Sequence, residues 1–168
     1  MDDVNPVGTP MEYGSKVSKH ENGEIVDPTL YKSLIRSLRY LTSTRSDILY
    51  VVGIISRYMD APTTTHFKEE KRILRYIKDT TNFGLHYYSS NNYDIFGYSD
   101  SNWSGDLDDR KSTTYFMFFM GDVAFTWILK KQSIIILSTC EVENAMVDAY
   151  SILKIGYYEI YVPHDARD

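Results

Sequence analysis

Two hydrophobic periods divide the chain. From about residue 28 to 80 apolar positions recur every three to four residues, the spacing of an amphipathic helix. From about residue 83 onward they alternate or run together, as strands do. Asp27-Pro28 places a capping carboxylate ahead of a proline at the first helical position, where a missing N–H costs nothing. Tyr31, Leu34, Ile35, Leu38 and Leu41 then share one face. A second helix is predicted from Ser46-Asp47, carrying Ile48, Val51, Val52, Ile55 and Met59. Pro62 and Thr63 to Thr65 interrupt the pattern and cap a third helix. It reaches about Lys78, with Phe67, Leu74 and Ile77 as its apolar stripe. Short helices joined by short loops predict a small bundle.

Beyond it, Gly84 to Tyr88 and Asp94 to Ser99 are β-prone runs split by Ser89-Ser90-Asn91-Asn92. Thr113 to Phe119 and Val123 to Trp127 flank Met120-Gly121-Asp122, which predicts a hairpin. Ser133 to Leu137, mostly isoleucine, predicts a strand buried on both faces. Ser138-Thr139-Cys140-Glu141 has capping-box spacing and opens a helix to about Leu153. The fold class is therefore α+β: a helical bundle, then a mixed sheet carrying one helix. Residues 1–27, punctuated by Asn5-Pro6, Thr9-Pro10, Gly14 and Asn22-Gly23, predict a linker. Residues 154–168 show no clear pattern.

Composition adds bounds rather than detail. The 168 residues are 43% hydrophobic and 24% charged, globular values that exclude wholesale disorder. A net charge of -5 excludes the overall basic balance of a dedicated nucleic-acid binder and leaves room for a local basic stripe. Cys140, the single cysteine, excludes an internal disulfide and a Cys-only zinc site, and no disulfide-linked partner is expected. With no visible secretory signal and no membrane-length apolar run, an intracellular location in cytoplasm or nucleus is expected, with no membrane partner.

Three features carry possible chemistry. Asp100, in Tyr98-Ser99-Asp100-Ser101-Asn102-Trp103, ends a hydrophobic strand. A carboxylate there can hold a divalent metal from a rigid element, or simply open a turn. Glu143 lies in the first turn of the helix at 138–153, either as a site residue or as a solvated acid favouring the helix dipole. Lys68, Lys71, Arg72, Arg75 and Lys78 form a basic face at helical spacing, fit to follow a phosphate backbone. Glu69 and Glu70 beside it fit a salt-bridged solvated helix equally well. Asp106, Asp108 and Asp109 lack calcium-loop spacing and predict a turn; His20, His66, His86 and His164 form no metal or triad pattern.

These segments, taken in order, resemble the C-terminal part of the Pol polyprotein of copia-type long-terminal-repeat retrotransposons. The matching runs include Asn5-Pro6-Val7, Asp27-Pro28-Thr29-Leu30-Tyr31-Lys32-Ser33-Leu34 and Ser37-Leu38-Arg39-Tyr40-Leu41-Thr42. They continue with Ser56-Arg57-Tyr58-Met59, Lys71-Arg72-Ile73-Leu74-Arg75-Tyr76-Ile77-Lys78 and Gly97-Tyr98-Ser99-Asp100-Ser101. Asp109-Arg110-Lys111-Ser112-Thr113, Lys130-Lys131-Gln132 and Leu137-Ser138-Thr139 with Glu141 and Glu143 complete the series, which covers about residues 4–153.

The resemblance implies a thumb-like distal end of a reverse transcriptase at 28–80 and the first half of an RNase H-like domain at 83–153, with 154–168 a divergent tail. It implies hydrolysis of the RNA strand of an RNA·DNA hybrid by Mg²⁺, or Mn²⁺, held by a cluster of acids. By position, Asp100 is the first metal-binding Asp and Glu143 the helix Glu. The family's third acid belongs to a Cys-Asp-Asn-like motif tens of residues further on. Asp168 stands only 25 positions after Glu143, and Glu159-Ile160-Tyr161-Val162 faintly resembles its strand, leaving Asp165 as the nearest metal-binding candidate. The family also has Asp at Asn102, Gly at Arg36, Asp79 and Tyr115, Pro at Ser46, Tyr at Asn144, and small residues at Glu69 and Glu70. Together these imply a truncated, degenerate and inactive form of the ancestral enzyme, with nucleic-acid binding through the basic face as the alternative role.

Overall fold

The computed structural model describes residues 5–19, 23–87, 94–102 and 105–132. The predicted strand at Ser133–Leu137, the predicted helix at 138–153, and with them Glu143 and Asp165, lie outside the described residues. Two compact units are present, one of residues 1–87 with Asp106–Arg110, the other of 88–105 with 111–168.

The first unit is helical. Helix α1 spans Pro28–Leu41, α2 spans Leu49–Ile55 between the 3₁₀ turns Ser46–Ile48 and Ser56–Tyr58, and α3 spans Thr64–Asp79. Asp27 caps α1 as its sequence predicts, its Oδ1 accepting from the Thr29 amide at 2.9 Å. The far end of α1 is closed by hydroxyls: Thr42 Oγ1 donates to the Arg39 carbonyl at 2.6 Å and Ser43 Oγ to the Tyr40 carbonyl at 2.8 Å. Tyr31, Ile35 and Leu38 of α1 meet Val51, Val52 and Ile55 of α2 and Ile73 and Tyr76 of α3 in one buried cluster. Each large apolar side chain fully buried there contributes roughly 1.5–3 kcal/mol. The Tyr31 hydroxyl donates to the Ile55 carbonyl at 2.9 Å, so this polar tip is satisfied inside the core.

Two expectations are corrected in this unit. The face of α3 turned inward is His66, Glu70, Ile73 and Tyr76, while Phe67, Leu74 and Ile77 pack only at its margin. Two polar residues in the inward stripe hide it from a hydrophobic pattern. The segment before α1, expected as a linker, also packs: Val17 is buried, and Val7 and Met11 lean on the core. Backbone pairing fastens it, with Val26 N–H donating to the Pro62 carbonyl and Thr64 N–H to the Glu24 carbonyl, both at 2.9 Å.

The loop Asp106–Arg110 belongs to this unit and forms the turn its acids predicted. Asp106 accepts the Asp108 amide at 2.9 Å through Oδ1 and Arg57 Nη1 at 2.8 Å through Oδ2. Asp108 in turn accepts from Ser18 Oγ at 2.7 Å and the Lys19 amide at 3.1 Å.

The second unit is a three-stranded antiparallel sheet, β1 (Ile95–Asn102), β2 (Thr113–Met120) and β3 (Val123–Lys131), in that spatial order. The chain is thus α+β. The predicted hairpin is present, turning at Gly121 with φ 57°, a left-handed conformation that glycine adopts without strain. A bulge between Phe118 and Phe119 shifts the β2–β3 register. Gly97 pairs with Phe118, and a Cβ at Gly97 would stand 2.8 Å from that ring, so a side chain at this position of β1 forces the ring or the strand to shift. Gly84–Tyr87 forms no strand, because a β-prone run becomes one only when a partner's backbone groups face it. The described strands are all antiparallel.

Candidate functional site

Strand β1 turns its even-numbered side chains to solvent, and Asp100 is among them, exposed and in register opposite Tyr115. The rigid ladder fixes its backbone, as expected of a strand-borne carboxylate. On the same face Phe96 stacks on Phe119 at 5.2 Å, with Tyr98 edge-on to both. Among the described residues no three His, Cys, Asp or Glu side chains come together as metal ligands. Those described residues do not by themselves form a three-ligand Mg²⁺ or Mn²⁺ site.

Helix α3 carries the basic face. At about 100° per residue, positions 68, 71, 72, 75 and 78 fall within an arc of about 120°, turned away from the stripe of His66, Ile73 and Tyr76. Lys68, Lys71 and Lys78 are exposed, and Arg75 is partly so. Arg72 is spent within the unit: its Nη1 pairs with Glu12 at 2.9 Å and its Nη2 donates to Thr9 Oγ1 at 3.1 Å. Lys71 Nζ sits 4.4 Å from the Phe67 ring centroid. Residues 28–80 hold ten Lys and Arg against five Asp and Glu, so the acidic balance of the chain resides elsewhere. The helical stretch is locally basic, and such a field attracts polyanions.

The N-terminus of α3 is built by His66. Its Nδ1 accepts the Thr63 amide at 3.0 Å, which leaves Nε2 to donate to the Ser18 carbonyl at 3.1 Å, and its ring stacks on Tyr58 at 4.3 Å. This histidine is structural.

Sequence reasoning passed over the most developed polar network. Arg45, 7% exposed, donates through Nε and Nη2 to the two oxygens of Asp47 at 2.9 and 2.7 Å. Nη1 and Nη2 also reach the Thr80 carbonyl at 2.9 Å and Thr80 Oγ1 at 2.6 Å. Tyr76 donates to Asp47 Oδ2 at 2.8 Å. Burial works to raise the Asp47 carboxyl, but the hydrogen bonds from Arg45 and Tyr76 reverse it and leave the group below the ordinary carboxylate value. In the sequence this stretch reads only as the start of the second helix at Ser46-Asp47.

The sequence itself closes the question of kinship. Over 144 residues the chain is 38% identical to the retrovirus-related Pol polyprotein from transposon RE2 of Arabidopsis thaliana, covering 86% of this chain and 10% of that protein. The corresponding protein from transposon RE1 of the same plant matches equally well. The chain belongs to the copia-type retrotransposon Pol polyproteins. The Pol polyprotein from transposon TNT 1-94 of Nicotiana tabacum is 36% identical over 151 residues, 85% of this chain and 11% of that protein. This Pol-family chain spans about a tenth of the length of these relatives. No protein-family model matches it. No solved structure matches it. No helix among the described residues is long and apolar enough to cross a membrane.

Proposed function

We propose that this chain descends from the Pol segment joining the distal, thumb-like end of a reverse transcriptase to the start of an RNase H-like domain. Its ancestral reaction is hydrolysis of RNA in RNA·DNA hybrids. On this reading the hydrolysis is lost and binding of nucleic-acid phosphate through α3 is what remains. The observation that carries the reading is the outward basic face of Lys68, Lys71, Arg75 and Lys78 in a stretch whose charge opposes that of the chain. Arg72, the fifth member, is discounted because Glu12 already neutralises it.

Loss of hydrolysis follows from the donor set. A two-metal site needs several carboxylates converging within a few ångströms to hold both ions against water. Asp100 and Glu143 match the family's positions, Asp165 is only a faint match for a third, and Asn102 stands where the family has Asp. No catalytic step is therefore assigned to Asp100.

The test is a labelled RNA·DNA hybrid incubated with the purified chain in Mg²⁺ and in Mn²⁺, beside Asp100→Asn. The expected result is no cleavage, with retention of the hybrid that weakens as salt rises. Four phosphate contacts predict a slope of about -3 to -4 in log affinity against log salt. Cleavage by the wild type that disappears in Asp100→Asn would restore the enzymatic reading.

A further inference from the structure

Among the described residues, Glu70 has a place in the fold that contradicts its chemistry. It stands on the inward face of α3 with no exposed surface, and neither carboxyl oxygen has a hydrogen-bond partner among the described residues. An isolated carboxylate cannot be held in an apolar interior without a large desolvation cost, whereas a neutral carboxyl can. The ionisable groups of the surrounding elements offer no relief. Tyr31 of α1 is engaged with the Ile55 carbonyl and Tyr58 of the 3₁₀ turn with the Val17 carbonyl. His66, one turn earlier on α3, is engaged with Thr63 and Ser18. The buried residues of α2 are Val51, Val52 and Ile55. Of the cations on α3, Arg72 turns to Glu12 and Lys71 lies over the Phe67 ring.

We propose that Glu70 makes the helical unit a proton-linked fold: its carboxyl is protonated while α3 is packed on α1 and releases the proton to water when the unit opens. Burial pushes the carboxyl up to about 7, against an ordinary value near the usual glutamate range. The folded unit then binds more protons than the open one between these two values, so stability falls as pH rises through that window and is level above it. The open-to-closed ratio attributable to Glu70 rises by roughly two orders of magnitude between about pH 5 and pH 8.

The measurement is hydrogen exchange of α1 and α3 amides in the full chain, read by mass spectrometry for wild type and Glu70→Gln at each pH from about 5 to 8.5. Intrinsic exchange rates cancel in the ratio. Protection in Glu70→Gln relative to wild type should climb with pH by one to two orders of magnitude, roughly. A ratio that stays constant across the range overturns the proposal. Glu70→Met, apolar and of similar length, gives the same comparison should the glutamine variant fold poorly. Independently, the Glu70 carboxyl carbon in the wild-type NMR spectrum should titrate near neutrality, and a midpoint in the ordinary glutamate range refutes the assignment.

Discussion

Removing the guanidinium of Arg45 should cost the helical unit a large share of its stability. Arg45 is 7% exposed and makes four hydrogen bonds, two to the Asp47 carboxylate and two to Thr80. They tie the connection after α1 to the end of α3, two points 35 residues apart in sequence. In Arg45→Met the Asp47 carboxylate keeps the Tyr76 hydroxyl but loses its counter-ion, and the buried Thr80 carbonyl loses its donor. Stripping one partner from a buried pair costs about 3–5 kcal/mol. The Asp47 side chain is 31% exposed, so water replaces part of the lost solvation, and the expected loss is near the lower bound, about 3 kcal/mol. Arg45→Lys keeps the charge without the planar fork and should fall between the two. Urea unfolding followed by helical circular dichroism reads the difference. A loss under about 1 kcal/mol, the worth of a surface ion pair, would refute the reasoning. The pH dependence follows from the depressed Asp47 carboxyl. Its stabilisation is present above the ordinary carboxylate value and disappears as pH falls through the lower folded value, and this acid-side loss should shrink in Arg45→Met.

Three further outcomes are expected. Asp27→Ala removes the α1 cap and should destabilise by about 1 kcal/mol, with Asp27→Ser recovering most of it in the same melts. Gly97→Ala drives a methyl into the Phe118 ring and should cost about 1–3 kcal/mol, seen as lost exchange protection in β1 and β2 while α1–α3 are unchanged. Changing Lys68, Lys71, Arg75 and Lys78 together to glutamine should flatten the salt dependence of hybrid binding by about 3 in slope. Arg72→Gln alone should leave binding nearly intact and loosen the segment around Glu12 instead.

The sequence by itself determined the elements whose causes are local. Asp27-Pro28 specifies the start of α1 through a side chain two residues from the amide it caps, and Gly121 specifies the hairpin turn through its own backbone freedom. The periodic stripe of Tyr31, Ile35 and Leu38 specifies which face of α1 turns inward. Kinship was legible in the same way, as an ordered run of short identities. Tertiary structure decided what depends on distant partners. The inward face of α3 contains His66, held by the Ser18 carbonyl 48 positions away, and Glu70, and neither leaves an apolar trace in the pattern. Arg72 counts as a basic-face residue until Glu12, 60 positions away, is seen to neutralise it. Arg45 gains its role only when Thr80 is brought beside it. Caps and turns are encoded within a few residues because their hydrogen bonds close short loops. The protonation of a buried acid and the availability of a cation are set by whatever the fold places a few ångströms away.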